Sequence, residues 1–209
     1  MNTFSEYEQA ALRTAPVHAA VHSLQAREHD MIHAIMGLCT EAAELVDVMK
    51  KQHAYGKPVD LVNFREEIGD ALWYVPLICR AFGWRLAGLV GTNDMEEFST
   101  AWAPFNRHAD LKSLAFELMK ESASLIGLET MRLGSMEENY QLRVRDIVCV
   151  LSELAHAADS TLEACATVNI QKLQARYPEK FTSDAALNRD LVKERAVLEG
   201  NDGKKDGAS

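Results

Sequence analysis

The sequence has little of what interrupts helices or cross-links a chain. Its 209 residues include 11 glycines and 5 prolines, and its 4 cysteines lie far apart with no C-x-x-C pair. Such cysteines are typical of reduced core thiols rather than of disulfides. No apolar run approaches the roughly 18–20 residues of a membrane span, and the N-terminus lacks a basic-then-apolar signal pattern. We therefore expect a soluble, cytoplasmic protein without a membrane partner.

Positive charge is also scarce. The chain has 22 Lys and Arg residues against 31 Asp and Glu residues, which gives a net charge of −9. Nucleic acid polymers and anionic membranes require clustered positive charge, so neither is expected as a partner. A polyphosphate would be repelled as well, unless a divalent cation lay between it and the protein. Hydrophobic residues make up 47% and charged residues 25%, which excludes a disordered chain and favours one globular domain.

Apolar residues recur at spacings of three and four, which predicts an all-α fold, a helical bundle. Asp30 and Asp60 are predicted helix N-caps, the turn at 55–58 separates two long helices, and Pro76 predicts a kink or an interruption. A single domain is expected over 1–199, with a disordered polar tail at 200–209. The predicted helices are 4–14, 17–26, 30–53, 61–82, 84–90, 109–132, 137–156, 159–175 and 183–199.

Two pairs of acids lie on consecutive predicted helices. Glu41 and Glu44 are three residues apart, as are Glu67 and Asp70, so each pair shares one helix face. The turn at 55–58 folds these helices antiparallel, so the pairs can face each other. Four converging carboxylates raise one another's pKa values, and a bound cation relieves the repulsion. Mg²⁺ prefers such oxygen ligands.

Each acidic pair has an alternative interpretation as a solvated helix face that pairs with Lys or Arg. Two pairs on adjacent helices, with small residues at Ala42, Ala43 and Gly69 that let the backbones approach, favour a metal site. A di-iron carboxylate centre is the competing metal interpretation, and it needs E-x-x-H on two helices. The chain provides one match, Glu153 with His156, so the sequence argues against di-iron.

The pattern E-x-x-E, a turn and then E-x-x-D resembles the MazG-type all-α nucleoside triphosphate pyrophosphohydrolases, and small phage-type members above all. The resemblance covers about 1–82 and 165–199, whereas 83–160 has no counterpart in the compact members. Besides the acids, it rests on His33, Gly37, Leu38, Lys50, Lys51, Tyr55, Gly56, the stretch EEIGDALWY and the segment 169–181. Thr40 departs from the pattern, since many relatives have Glu or Gly there.

The resemblance implies a Mg²⁺-dependent enzyme, with Mn²⁺ as a substitute cofactor. Its substrate would be a nucleoside triphosphate, a deoxynucleotide or a non-canonical one, and its products the monophosphate and pyrophosphate. Family members form homodimers or tetramers. The implied metal ligands and catalytic residues are Glu41, Glu44, Glu67 and Asp70. The implied substrate contacts are His33, Lys50, Lys51, Trp73, Asn169, Lys172, Arg176 and Tyr177.

Structural alternatives exist for these contacts. His33 could be a packed or capping histidine, and Trp73 a core aromatic that happens to follow Asp70. Lys50 and Lys51 could favour the C-terminal end of their helix, and the basic residues of 169–176 could form a solvated face. Two alternatives to the function also stay open. One is a phosphoribosyl-ATP pyrophosphohydrolase or dUTPase-like activity on the same scaffold, and the other is a non-catalytic nucleotide-sensing or adaptor module.

An internal repeat is a further interpretation. Residues 38–45 align with 118–125 at an offset of 80, and Asp70 aligns with Asp146 at an offset of 76. The alternative is chance similarity between amphipathic helices. A first copy at about 30–93 and a degenerate second copy at about 110–169 would make the chain a pseudo-dimeric monomer, with a nucleotide-contacting helix at about 165–177. The second copy would have lost its metal, because Ser124 stands for Glu44 and Arg143 for Glu67, which leaves Glu121 and Asp146 without partners.

Overall fold

The computed structural model describes residues 1–16, 24–102, 110–130, 137–179 and 181–200. These residues form ten α-helices and no β-strand, which confirms the all-α prediction. None of the described helices is long and apolar enough to span a membrane. The helices are α1 (Phe4–Arg13), α2 (Leu24–Tyr55), α3 (Leu61–Phe82), α4 (Leu86–Val90), α5 (Met95–Trp102), α6 (Leu111–Thr130), α7 (Glu137–Ala157), α8 (Leu162–Arg176), α9 (Ser183–Leu187) and α10 (Leu191–Leu198).

The two longest helices, α2 and α3, form an antiparallel hairpin. The predicted turn between them is present: α2 ends at Tyr55, and Gly56 takes the left-handed φ of 64° that glycine adopts without strain. Asp60 is the N-cap of α3, as predicted, because its carboxylate accepts hydrogen bonds from the N–H groups of Val62 and Asn63 at 3.1 and 3.2 Å. The turn thus brings the two acid-bearing helices together.

Apolar stripes on both helices bury the seam of this hairpin. Full burial of each large side chain stabilises the fold by roughly 1.5–3 kcal/mol, so the stripe sets which helix faces meet. On α3 the buried residues include Phe64, Ile68, Leu72 and Val75. On α2 the predicted stripe is buried throughout, at Met31, Ile35, Leu38, Ala42, Leu45 and Met49.

Helices α6 and α7 form a second hairpin that packs on the first through contacts of α6 with α2 and of α7 with α3. Helix α8 then returns to α3, and α10 covers α8. The helix starts agree with the offset of the predicted repeat. Leu61 and Glu137 open α3 and α7, Leu86 and Leu162 open α4 and α8, and both differences are 76 residues.

The predicted start of the second long helix at Asp30 is wrong. Helix α2 already runs from Leu24, through residues that favour helix, so Asp30 lies inside it. Its carboxylate instead accepts two hydrogen bonds of 2.8 Å from the Arg80 guanidinium, near the other end of the hairpin. Of the separate helix predicted over 17–26, residues 24–26 belong to α2 and 17–23 lie outside the described residues.

Other predicted limits also need correction. Helix α3 continues through Pro76 without interruption. The region after α4 was predicted as loop, but α5 forms there because Phe98 is fully buried against Phe4, an edge-to-face contact at 5.4 Å. The helix predicted over 183–199 is two helices, because Asp190 caps a new start by accepting from the N–H of Lys193. Of the predicted tail, 201–209 lies outside the described residues.

The ion pair between Asp30 and Arg80 closes the hairpin at the end opposite its turn. Arg80→Ala leaves the buried Asp30 carboxylate without these two bonds, so we expect the free energy of unfolding to fall by about 3–5 kcal/mol. Urea denaturation followed by circular dichroism measures the change. Lys50→Ala, which removes an exposed ion pair with Asp47, is the control and should cost no more than about 1 kcal/mol. Equal losses in the two variants would contradict the assigned role.

Candidate metal centre

Three of the four predicted acids converge at the seam between α2 and α3. Glu41, Glu67 and Asp70 each direct one carboxylate oxygen into a cluster in which these oxygens lie within 4.8 Å of one another. Oxygens on opposite sides of a Mg²⁺ ion are about 4.2 Å apart, because each bond is about 2.1 Å long. The three carboxylates could therefore share one small divalent cation after slight rotation, with positions left for water or phosphate oxygens.

The fourth predicted ligand, Glu44, lies one turn after Glu41 on the exposed side of α2. It is not part of the 4.8 Å cluster. Its negative charge nevertheless contributes to raising the pKa values of Glu41 and Glu67. Its role as a metal ligand stays a prediction.

Burial and mutual repulsion keep protons on the cluster. Burial, followed by the charge of Asp70, raises the pKa of Glu41 to about 7. The same causes raise the pKa of Glu67 to about 9, and Glu67 is the more buried of the two, with 6% of its surface exposed. The two carboxyl groups share a hydrogen bond that favours neutral Glu67 and charged Glu41, so Glu67 is the donor.

Helix α8 places a cation and an amide against the third acid. The Lys172 ammonium, 1% exposed, donates to both carboxylate oxygens of Asp70 at 2.6 Å and to Glu66 at 3.0 Å. Burial alone would lower the pKa of Lys172, but the charges of Asp70 and Glu66 raise it overall. The Asn169 amide N–H₂ also donates to Asp70. The buried Oδ1 of Asn169 has no hydrogen-bond partner within the part of the chain that the structure describes.

Gly69 makes this contact between α3 and α8 possible. A Cβ atom at position 69 would lie 2.8 Å from the Asn169 Cβ and 2.9 Å from the Cys165 carbonyl oxygen. Any larger residue would push α8 away and lengthen the bonds from Asn169 and Lys172 to Asp70. The glycine that the sequence analysis associated with close backbone approach therefore sets the distance between the acids and α8.

A cleft of about 320 Å³ opens directly beside the acids. Glu41 and Asp70 lie at one end of it, while Glu67 lies behind them and is not part of the described lining. The volume falls within the range typical of small-molecule sites. The lining residues are Thr14, Pro16, His33, Glu41, Asp70, Trp73, Tyr74, Leu173, Arg176, Tyr177, Phe181, Ala186 and Arg189.

Aromatic rings form the wall next to the acids. The rings of Trp73 and Tyr74 meet edge to face at 5.1 Å, and His33 contacts both. Tyr74 lies directly on the backbone of α2, where a Cβ at Gly37 would be 2.1 Å from the ring. The Trp73 indole N–H donates to the Thr14 hydroxyl at 2.9 Å, which ties this wall to the end of α1.

Two arginines stand on the opposite wall, and one buried glutamate holds both. Glu194 of α10, 4% exposed, accepts from Arg176 at 2.7 and 2.6 Å and from Arg189 at 3.2 and 2.8 Å. Burial would raise the pKa of Glu194, but the two guanidinium groups lower it overall. Glu194 thereby orients two positive charges at the cleft, opposite the acids.

The predicted substrate contacts divide into two groups. His33, Trp73, Arg176 and Tyr177 line the cleft. Asn169 and Lys172 do not belong to its described lining: they are 2% and 1% exposed and bind Asp70 instead, because α8 packs so closely on α3. The last two also lie outside the described lining, since Lys50 and Lys51 are exposed near the end of α2 and pair with Asp47. Their roles in substrate binding stay predictions.

Sequence reasoning missed Arg189, Glu194 and Phe181 as parts of the site. No motif marks them, and they reach the cleft because α9 and α10 fold back over α8. Arg13 stabilises the start of this return, since its guanidinium donates to the carbonyl of Glu179 at 2.8 Å. The nearest signal in the sequence was the polar segment 188–190, where a second N-cap at Asp190 could have been recognised.

The proton held by the cluster makes stability depend on pH. Both pKa values are raised from 4.5, so the folded protein without metal binds more protons than the unfolded chain, and stability falls as pH rises towards 9. Glu67→Gln removes the main source of this loss. In a chelator, its stability relative to wild type should increase steadily from about pH 5 to pH 9.

Urea midpoints at successive pH values measure this effect. Glu28→Gln, an exposed change on α2, is the control and should keep the wild-type pH dependence. A Glu67→Gln variant whose pH dependence matches wild type would show that the cluster does not hold the proton.

Comparisons with known proteins identify no relative of this chain. No protein family, no curated protein and no solved structure matches it. The resemblance to MazG-type enzymes therefore rests on the residues quoted from the sequence, and the activity that it implies is a proposal. The acid cluster and its cleft are the observations from which that proposal is argued.

Proposed function

We propose that the protein is a nucleoside triphosphate pyrophosphohydrolase that needs Mg²⁺ or Mn²⁺ and releases the monophosphate and pyrophosphate. The observation that carries this proposal is the position of the acids. Glu41, Glu67 and Asp70 converge at one end of a cleft whose other walls present aromatic rings and two arginines. A nucleotide has the matching parts, a flat base and a chain of negatively charged phosphates.

The donor set suits a hard divalent cation. Carboxylate oxygens are the ligands that Mg²⁺ prefers, and it usually takes one or two of them together with phosphate oxygens and water. Glu41, Glu67 and Asp70 would hold the ion, with Glu44 one turn away. When bound, the ion would neutralise phosphate charge and increase the acidity of water.

The residues of α8 prepare this end of the cleft. Lys172 and Asn169 fix the orientation of Asp70 through their hydrogen bonds. Supporting partners of this kind commonly change metal affinity or activity by about 10–100-fold when they are removed. A glutamate of the cluster would accept the proton of the water that attacks the phosphate, since carboxylates are the available bases there.

The far wall supports binding of the phosphate chain. Arg176 and Arg189 offer guanidinium groups, which bind phosphate oxygens in pairs, and Glu194 fixes their position in advance. Phosphoryl transfer depends mainly on such positioning and on charge neutralisation. Trp73 and Tyr74 provide a surface on which a base can stack.

The first test is pyrophosphate release from a panel of canonical and modified ribo- and deoxynucleoside triphosphates with Mg²⁺. Glu41→Gln and Asp70→Asn should each lower turnover at least about 100-fold, because supporting partners of metal ligands alone contribute up to about that much. Glu28→Gln, an exposed acid on the same helix as Glu41, should keep wild-type turnover. Mg²⁺-dependent binding without any product would instead favour a nucleotide sensor.

A second test concerns the arginine wall. Arg189→Ala removes a charged partner of the phosphates, and such bonds contribute about 1.5–3 kcal/mol, so we expect KM for the triphosphate to rise about 10-fold or more. Arg195→Ala is the matched control, since Arg195 lies on α10 and pairs with Glu199 and Asp60 instead. The proposed role of Arg189 fails if both variants change KM equally.

A further inference from the structure

The second hairpin contains a buried charged cluster of its own. Glu121 of α6 is 3% exposed and accepts a hydrogen bond of 2.6 Å from the Arg143 guanidinium of α7. Arg143 also lies 3.5 Å from Asp146, and Lys120 lies 3.1 Å from Glu121. Burial would raise the pKa of Glu121, but Arg143 and Lys120 lower it overall, so the carboxylate stays charged.

These residues occupy the positions that correspond to the metal cluster. The offset of 80 residues places Glu121 on Glu41, and the offset of 76 places Arg143 on Glu67 and Asp146 on Asp70. In the first hairpin the three side chains meet across the seam of α2 and α3. In the second hairpin Arg143 contacts both of its acids across the seam of α6 and α7. The sequence offsets and the spatial grouping are independent observations that agree.

The connections that follow the hairpins correspond as well. Helix α4 starts three residues after α3 ends at Phe82 and contacts α7, and α8 starts four residues after α7 ends at Ala157 and contacts α3. Each hairpin therefore sends its next helix to the second helix of the other hairpin. Such an exchange is what a pair of related units packed around an approximate twofold axis produces.

We infer that the α6–α7 hairpin is a second copy of the metal-bearing hairpin, in which the Arg143 guanidinium supplies the positive charge that a divalent cation supplies in the first. This inference rests on the metal-binding part of the proposed function. The charge arithmetic supports it: exchanging a glutamate for an arginine at one position changes the charge by two units, which is the charge of one divalent ion. The buried Glu121 is neutralised without a metal.

The second copy is also shortened at the helix that would complete it. Helix α8 has 15 residues and reaches Asp70 with Asn169 and Lys172, whereas α4 has 5 residues. Asn93, at the position that corresponds to Asn169, accepts hydrogen bonds from the backbone N–H and the hydroxyl of Ser5 instead. The second copy thus contributes α8 to the first centre and receives no equivalent helix. The chain has one working centre and completes it from its own residues.

The test is to remove the guanidinium and restore the acid. Arg143→Glu should bind one more Mn²⁺ ion per chain than the wild type, measured by titration calorimetry and by the loss of the free-ion electron paramagnetic resonance signal. Arg145→Glu makes the same charge change two residues along α7 and should leave the stoichiometry at the wild-type value. Circular dichroism reports whether each variant is folded. A folded Arg143→Glu protein with the wild-type stoichiometry would overturn the inference.

A second variant keeps the test decisive if Arg143→Glu does not fold. Arg143→Gln, made together with Glu41→Gln and Asp70→Asn to disable the first centre, leaves Glu121 without its main partner. Its melting temperature in a chelator should fall, and Mn²⁺ should raise it again, whereas the Glu41→Gln, Asp70→Asn protein with native Arg143 should not respond. No response in either protein would show that Arg143 is an ordinary ion-pair residue.

The outcomes separate this inference from the proposed function. Wild type that binds no Mn²⁺ while Arg143→Glu gains a site would contradict the proposed metal centre but support the latent one. Wild type that binds one Mn²⁺ while Arg143→Glu gains none would leave the proposed function intact and overturn the inference.

Discussion

Burial of negative charge at the seam of α2 and α3 is the constraint on which the rest of the structure depends. A buried carboxylate without a partner costs several kcal/mol, so the fold must supply a proton or a cation for each. The proton shared by Glu41 and Glu67 meets part of this need, and the ammonium of Lys172 meets the part due to Asp70. A divalent cation would satisfy the same acids in another way, which is why the seam suits a metal centre.

The same constraint explains where the chain uses its few cations. With 22 Lys and Arg residues against 31 acids, this acidic protein still places several of them at buried carboxylates. Arg80 pairs with Asp30 at the end of the first hairpin, Arg143 with Glu121 in the second, and Lys172 with Asp70 between α8 and α3. Each pair joins two helices, so the pairing of buried charge also fixes how the helices of the bundle are arranged.

Local pattern was sufficient for the hairpin and for the acids. The spacing of Glu41 with Glu44 and of Glu67 with Asp70 is a property of one helix turn, and the turn after Tyr55 is written in glycine and proline. The prediction failed where a helix depends on distant partners. Asp30 looked like an N-cap because its partner Arg80 lies 50 residues away, and α5 was missed because its burial depends on Phe4.

By itself the sequence determined the all-α class, the antiparallel acid-bearing helices and the family that the acids resemble, because periodicity and capping act over a few residues. The tertiary structure alone decided which side chains face the cleft. It turned Lys172 from a substrate contact into a partner of Asp70, and it brought Arg189 and Glu194 to the wall opposite the acids. Packing between helices that are far apart in the chain sets these positions, and no local spacing encodes it.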